Sequence, residues 1–144
     1  MKIIIEQPRD GEEDTIIIRC RHASPELMQL LGRMKKQGMI IGYVNDTVYK
    51  LNPMDILYIE TVERKTFLYC DGSLYESKQK LYELEENLKS WNFLRVGKSL
   101  IVNMEKIISV TPLLSRRLEA VLSNNERIII SRQYVSVLNE YLGI

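Results

Sequence analysis

From residue 43 to residue 131 the chain is a succession of short apolar runs, each stopped after a few residues by turn formers. The runs at 43–51, 56–62, 66–70, 74–76, 93–96, 100–103, 107–111, 118–122 and 127–131 are rich in Ile, Val, Leu, Tyr and Thr. Such side chains suit a pleated, half-buried surface. Between the runs stand Asn45-Asp46, Asn52-Pro53, Glu63-Arg64-Lys65, Asp71-Gly72 and Asn124-Asn125, residue types that reverse a chain. Many short strands and few helices predict a mainly β fold of small packed sheets.

Three helical patterns interrupt the strands. Ser24-Pro25-Glu26 offers an N-cap, a proline at the first helical position and an acid in the first turn. Leu27, Leu30, Leu31 and Met34 follow at helical spacing, Arg33, Lys35 and Lys36 suit the C-terminal end, and Gly38 can close the helix. Ser77 is expected to cap a second helix to about residue 88, with Leu81, Leu84 and Leu88 on one side and Glu85 paired with Lys89. A terminal helix is expected over 132–142, its apolar face made by Val135, Leu138 and Leu142. Two β-rich runs at 2–6 and 15–19 flank a polar stretch containing Pro8 and Gly11, which predicts a hairpin. The expected organisation is a β-hairpin and amphipathic-helix extension over 1–39, then a β-dominated domain over 40–144 with an intervening and a C-terminal helix.

Bulk properties exclude several functions. A length of 144 residues suffices for a hydrophobic core. No apolar run approaches the roughly 18 residues that span a bilayer, and the N-terminus has no signal-peptide core, so a cytoplasmic protein without a transmembrane segment is expected. Cys20 and Cys70 have no Cys-x-x-Cys spacing, and His22 is the only histidine, which argues against zinc and against a histidine-based triad. No glycine-rich phosphate loop is present. Ser77 and Lys80 have Ser-x-x-Lys spacing, but the companion motifs of that chemistry are absent. Neither an enzyme nor a metal, a cofactor or a small-molecule substrate is expected.

The net charge of +1 means that any anion-binding surface must arise by segregation. Glu83, Glu85 and Glu86 share one helical segment, whereas Arg64-Lys65, Arg95, Lys98, Arg116-Arg117 and Arg132 fall at expected loops. The densest feature is Phe93-Leu94-Arg95-Val96-Gly97-Lys98-Ser99-Leu100-Ile101-Val102-Asn103, two apolar runs around a basic turn. About thirty residues later Ile128-Ile129-Ile130 stops at Ser131-Arg132 in the same way. Arg forks onto a guanine edge or a phosphate, and Lys and Ser supply single bonds, so Arg95, Lys98, Ser99, Arg116 and Arg132 are candidate contacts to a polyanion. Arg116-Arg117, Arg64-Lys65 and Lys98, each taken alone, read better as solvated turn residues; their joint position at strand ends shifts the balance toward the first reading.

From about residue 40 to the C-terminus the chain resembles the LytTR family, the DNA-binding domain of bacterial LytR/AgrA-type transcription regulators. The resemblance rests on Asp55-Ile56-Leu57-Tyr58-Ile59-Glu60, the turn at Asp71-Gly72, Leu81-Tyr82-Glu83-Leu84-Glu85, the 93–103 block and Ile130-Ser131-Arg132. It implies a response-regulator-like protein whose loops, rather than a recognition helix, enter the major groove of double-stranded DNA at promoter repeats, as a homodimer on DNA. Carried over by position, the contacts fall on Lys98, on Arg132, and on Lys65 and Thr66 after the Ile56 strand. The family commonly has His where this chain has Gly97. Its members typically carry a phosphoacceptor receiver, for which the first forty residues are too few, so a regulator with no receiver domain is expected. A protein-interaction adaptor using strand edges or the N-terminal helix is the alternative, favoured by the balanced charge.

Overall fold

A computed structural model describes residues 2–36 and 39–144. The chain divides into two compact units, Met1–Arg33 and Met34–Ile144. In the first, helix α1 (Pro25–Lys36) begins where the capping pattern placed it: the Ser24 Oγ accepts from the Leu27 N–H at 3.2 Å. Leu27 and Leu31 are half-buried, while Leu30 is exposed. Gly38 and the side chains of Arg33, Met34, Lys35 and Lys36 lie outside what is described. The runs 2–6 and 15–19 are extended on either side of a reversal closed by the Glu12 N–H donating to the Arg9 carbonyl at 3.0 Å. No backbone ladder joins them among the described residues.

The second unit is mainly β, as expected. A seven-stranded antiparallel sheet runs in the order β2 (Thr47–Leu51), β1 (Ile40–Val44), β5 (Ser73–Ser77), β4 (Lys65–Cys70), β3 (Ile56–Val62), β7 (Leu100–Asn103), β6 (Phe93–Gly97). A three-stranded sheet has the order β10 (Arg127–Ile130), β9 (Leu118–Leu122), β8 (Ile107–Pro112). Helix α2 (Leu81–Asn87) lies between β5 and β6 in sequence, and α3 (Val135–Leu142) follows a short 3-10 turn at Arg132–Tyr134. The turns are those the sequence marks: Val44 pairs with Thr47 across Asn45-Asp46, and Cys70 with Ser73 across Asp71-Gly72, where Gly72 takes φ 74°.

Two cores sit on opposite faces of the large sheet. Ile56, Ile59, Leu68, Phe93 and Ile101 pack with Leu81, Leu84 and Leu88 of the α2 segment. Leu57, Val96 and Val102 pack with Ala120, Leu122, Ile128 and Ile130 of the small sheet and Leu138 of α3. Alternation along a strand sends successive side chains to opposite faces, which explains Ile101 against Val102. In β3 a register shift between Ile56 and Tyr58 turns Leu57 and Tyr58 to the same core. Each fully buried Leu contributes about 1.5–3 kcal/mol.

Two helix expectations need correction. Ser77 ends β5, buried, with its Oγ accepting from the Gln79 N–H at 3.1 Å, and α2 starts later, after Lys80. Glu85 does not pair with Lys89; Lys89 meets Glu86 at 3.6 Å, and Glu85 turns to Arg95. The hydrophobic pattern located the helical face, but the strand ladder through Thr66 and Ser77 outcompetes the helix for its first residues.

Asn103 is fully buried where β7 ends: its Nδ2 donates to the Ile56 carbonyl at 2.9 Å and its Oδ1 accepts from the Glu105 N–H at 3.1 Å. Asn103→Ala leaves that carbonyl without its donor and is expected to cost about 1–3 kcal/mol in urea unfolding. Burial, then the charge of Asp55, pushes the Cys70 thiol up to about 11. Because the fold favours the thiol over the thiolate, this contribution to stability is present below the ordinary value of 9.0 and fades as pH rises through about 11. Mass spectrometry after alkylation at neutral pH should therefore find the exposed Cys20 labelled and Cys70 spared until the protein is unfolded.

Candidate nucleic-acid interface

Strand register brings the basic loops to one end of the domain. In the large sheet Val62 faces Lys65 and Thr61 faces Thr66 across the Glu63-Arg64 turn. The same strand β3 pairs Glu60 with Leu100, and the Thr61 N–H donates to the Ser99 carbonyl at 2.9 Å. The β3–β4 turn and the β6–β7 turn are thus neighbours. In the small sheet Pro112 faces Leu118 and Leu118 faces Ile130, so the loop carrying Arg116 lies at the end where β10 runs into Ser131-Arg132. The Ser131 N–H donates to the Val96 carbonyl at 3.0 Å, which fastens that end to the β6–β7 turn.

Between the two sheet ends lies an open groove of about 470 Å³ lined by Glu60, Gly97, Lys98, Ser99, Ser131 and Arg132, among others. Lys98, Ser99 and Arg132 are exposed, and no ion pair engages Lys65, Lys98, Arg116 or Arg132 among the described residues. Glu60 supplies the groove's carboxylate. Gly97 is buried without a positive φ, and a Cβ there would stand 3.4 Å from the Leu100 Cβ and 3.5 Å from the Ser131 Oγ. Those are ordinary contacts, so the glycine keeps the groove floor low rather than relieving strain.

Two sequence candidates take different parts. Thr66 is 6% exposed and its hydroxyl lies 3.3 Å from that of Thr61; it joins strands instead of presenting an oxygen to a ligand. Arg95 is turned inward. Its Nε donates to the Gly97 carbonyl at 2.7 Å, its Nη1 to Glu85 Oε2 at 2.9 Å, and its Nη2 to the Lys98 carbonyl. The guanidinium grips two carbonyls of the basic turn while Glu85 on α2 braces it, so Arg95 shapes the turn that displays Lys98. Sequence spacing marked Arg95 as a loop cation but carried no sign of Glu85 as its partner. Gln133 and Tyr134 also line the groove; only their position after Arg132 could have flagged them.

No cluster of three His, Cys, Asp or Glu side chains that could hold a metal occurs among the described residues. Nor is any described helix long and apolar enough to cross a membrane. Tyr58 and Tyr69 stack on the β3–β4 pair with ring centroids 4.3 Å apart. Burial first, and then Glu126, holds the Tyr58 phenol protonated well above the ordinary tyrosine range, and burial first, and then Glu60, raises that of Tyr69.

The LytTr DNA-binding domain family matches residues 46–143. A sensory transduction protein LytT from Enterococcus faecalis is 29% identical over 99 residues, 69% of this chain and 41% of the relative. A LytT protein from Bacillus subtilis is 25% identical over 101 residues, 70% of this chain and 42% of the relative. This chain therefore spans less than half the length of the LytT proteins it matches. A solved LytTr DNA-binding domain from Bacillus cereus superposes with a TM-score of 0.70 at 24% identity, covering 74% of this chain and 98% of that one.

Replacing Arg95 by Ala removes the grip on the turn carbonyls and should destabilise the domain by about 1–2 kcal/mol. Hydrogen exchange at residues 97–99 should accelerate more than at β3. Glu85→Gln should cost under about 1 kcal/mol, because Glu85 is 41% exposed and its charge is screened.

Proposed function

Since the chain belongs to the LytTR family of DNA-binding domains, we propose that it is a sequence-specific transcription regulator whose loop-borne cations enter the major groove at promoter repeats. One observation carries the reading: Lys98, Ser99 and Arg132 share one groove at the sheet ends, and neither cation has an ion-pair partner among the described residues. Cations without carboxylate partners exchange their counterions for phosphates, and a guanidinium held at a strand end can fork onto a base edge. Arg116, exposed on its loop, and Lys65, exposed at the start of β4, extend the positive edge along the phosphate backbone. Arg95 and Thr66 serve that surface indirectly, by fixing the turns that bear Lys98 and Lys65. The domain of residues 40–144 acts as a homodimer on DNA, in the bacterial cytoplasm, without catalysis.

Fluorescence anisotropy on the chain's own upstream region tests this. Binding should be sequence-dependent, with log K falling steeply against log salt. Lys98→Ala and Arg132→Ala should each weaken specific binding by about 1–3 kcal/mol, and Arg116→Ala should reduce the salt slope by about one with little change in specificity. Equal losses on random DNA would assign Lys98 and Arg132 to the backbone. A chain with no sequence-dependent binding would instead be an adaptor.

A further inference from the structure

The two N-terminal arms read Lys-Ile-Ile-Ile-Glu at 2–6 and Thr-Ile-Ile-Ile-Arg at 15–19. The Arg9–Glu12 reversal, carried outward, sets Glu6 opposite Thr15, Ile4 opposite Ile17 and Lys2 opposite Arg19. Those six side chains line one groove of about 300 Å³. Yet the arms make no ladder, and the register places two cations at the open end, which is unfavourable for a cross-strand pair. All six isoleucines are exposed, Ile3 at 81% and Ile5 at 93%. Extended backbone with unpaired polar groups and apolar side chains on both faces is a template for another strand.

The order of residues says which strand. Laid antiparallel against itself, 2–6 sets Lys2 against Glu6 of a second copy, Ile3 against Ile5, and Ile4 against Ile4. A twofold axis then repeats the charge pair, so one segment is its own complement. The 15–19 arm laid on itself would set Thr15 against Arg19 and match no charges. We infer that residues 2–6 are a dimerisation strand that pairs antiparallel with the same residues of a second copy of this chain. Once 2–6 is paired, each 15–19 arm can ladder onto its outer edge in the register that the Arg9–Glu12 reversal sets, and a sheet of four arms passes the three strands below which an isolated sheet is marginal. The inference rests on the reading of the protein as a homodimer on DNA and gives that dimer a contact made by residues other than those of the basic groove.

The test uses the full chain without DNA, in sedimentation velocity and native mass spectrometry. The unaltered protein should be a dimer at micromolar concentration. Lys2→Glu and Glu6→Lys each turn both charge pairs repulsive and should weaken dimerisation about tenfold. Mixed in equal amounts, the two variants should recover the original affinity as a heterodimer, because Glu at position 2 then meets Lys at position 6. Single variants that dimerise normally, a mixture that does not recover, or a monomer whose residues 2–6 are protected from hydrogen exchange would each overturn the inference. Binding to a single promoter repeat should be unchanged in both variants. If the unaltered dimer fails to bind any repeat, the DNA reading falls while the strand pairing stands.

Discussion

Ile56, Ile59 and Ile101 press against the helical layer while Leu57 and Val102, one residue away, press against the small sheet. Burial on both faces of two neighbouring strands is the constraint on which the rest depends. A strand covered on one face only could slide or twist with little penalty, but a one-residue slip here would exchange two complete sets of core side chains. The register of β3 with β4 and β7 is therefore held from both sides. Because the turns at 63–64 and 98–99 are continuations of those strands, their relative positions are held as well.

The electrostatic arrangement follows from that geometry rather than from composition. Acidic and basic residues nearly balance, yet the acids Glu83, Glu85 and Glu86 lie on the helical segment and the bases stand at strand ends. Glu85 enters the basic region only to brace Arg95, a cation already turned toward backbone carbonyls. The pair leaves Lys98 and Arg132 as the cations that line the groove, beside the Glu60 carboxylate. A near-neutral protein can in this way present a positive edge, provided the scaffold decides which charges are neutralised.

Much of this was legible in the sequence because the signals are local. Asn45-Asp46, Asp71-Gly72 and the runs around Lys98 specify turns and strands within a few residues, and so does the run Ile128-Ile129-Ile130 that stops at Ser131. What escaped was non-local. Nothing near Thr66 reveals that Thr61 meets its hydroxyl, and nothing near Arg95 reveals Glu85, since both partners are chosen by sheet packing. Ser77 looked like a helix cap because Ser is a good cap; the ladder with Thr66 claimed its backbone first. The turn chemistry at 9–12 is local as well, and the Glu12 N–H does close a reversal on the Arg9 carbonyl; whether the two arms ladder depends on further strands, which no signal within 2–19 specifies.

The single bond from the Ser131 N–H to the Val96 carbonyl joins the tips of two different sheets. Through it the distance between the β6–β7 turn and the start of the last helical segment is set during folding, before any encounter. Such a surface surrenders little conformational entropy when it is filled. The adaptation then falls on the ligand: whatever lies across both tips must bend or shift its own repeat to match a ruler that the protein does not adjust.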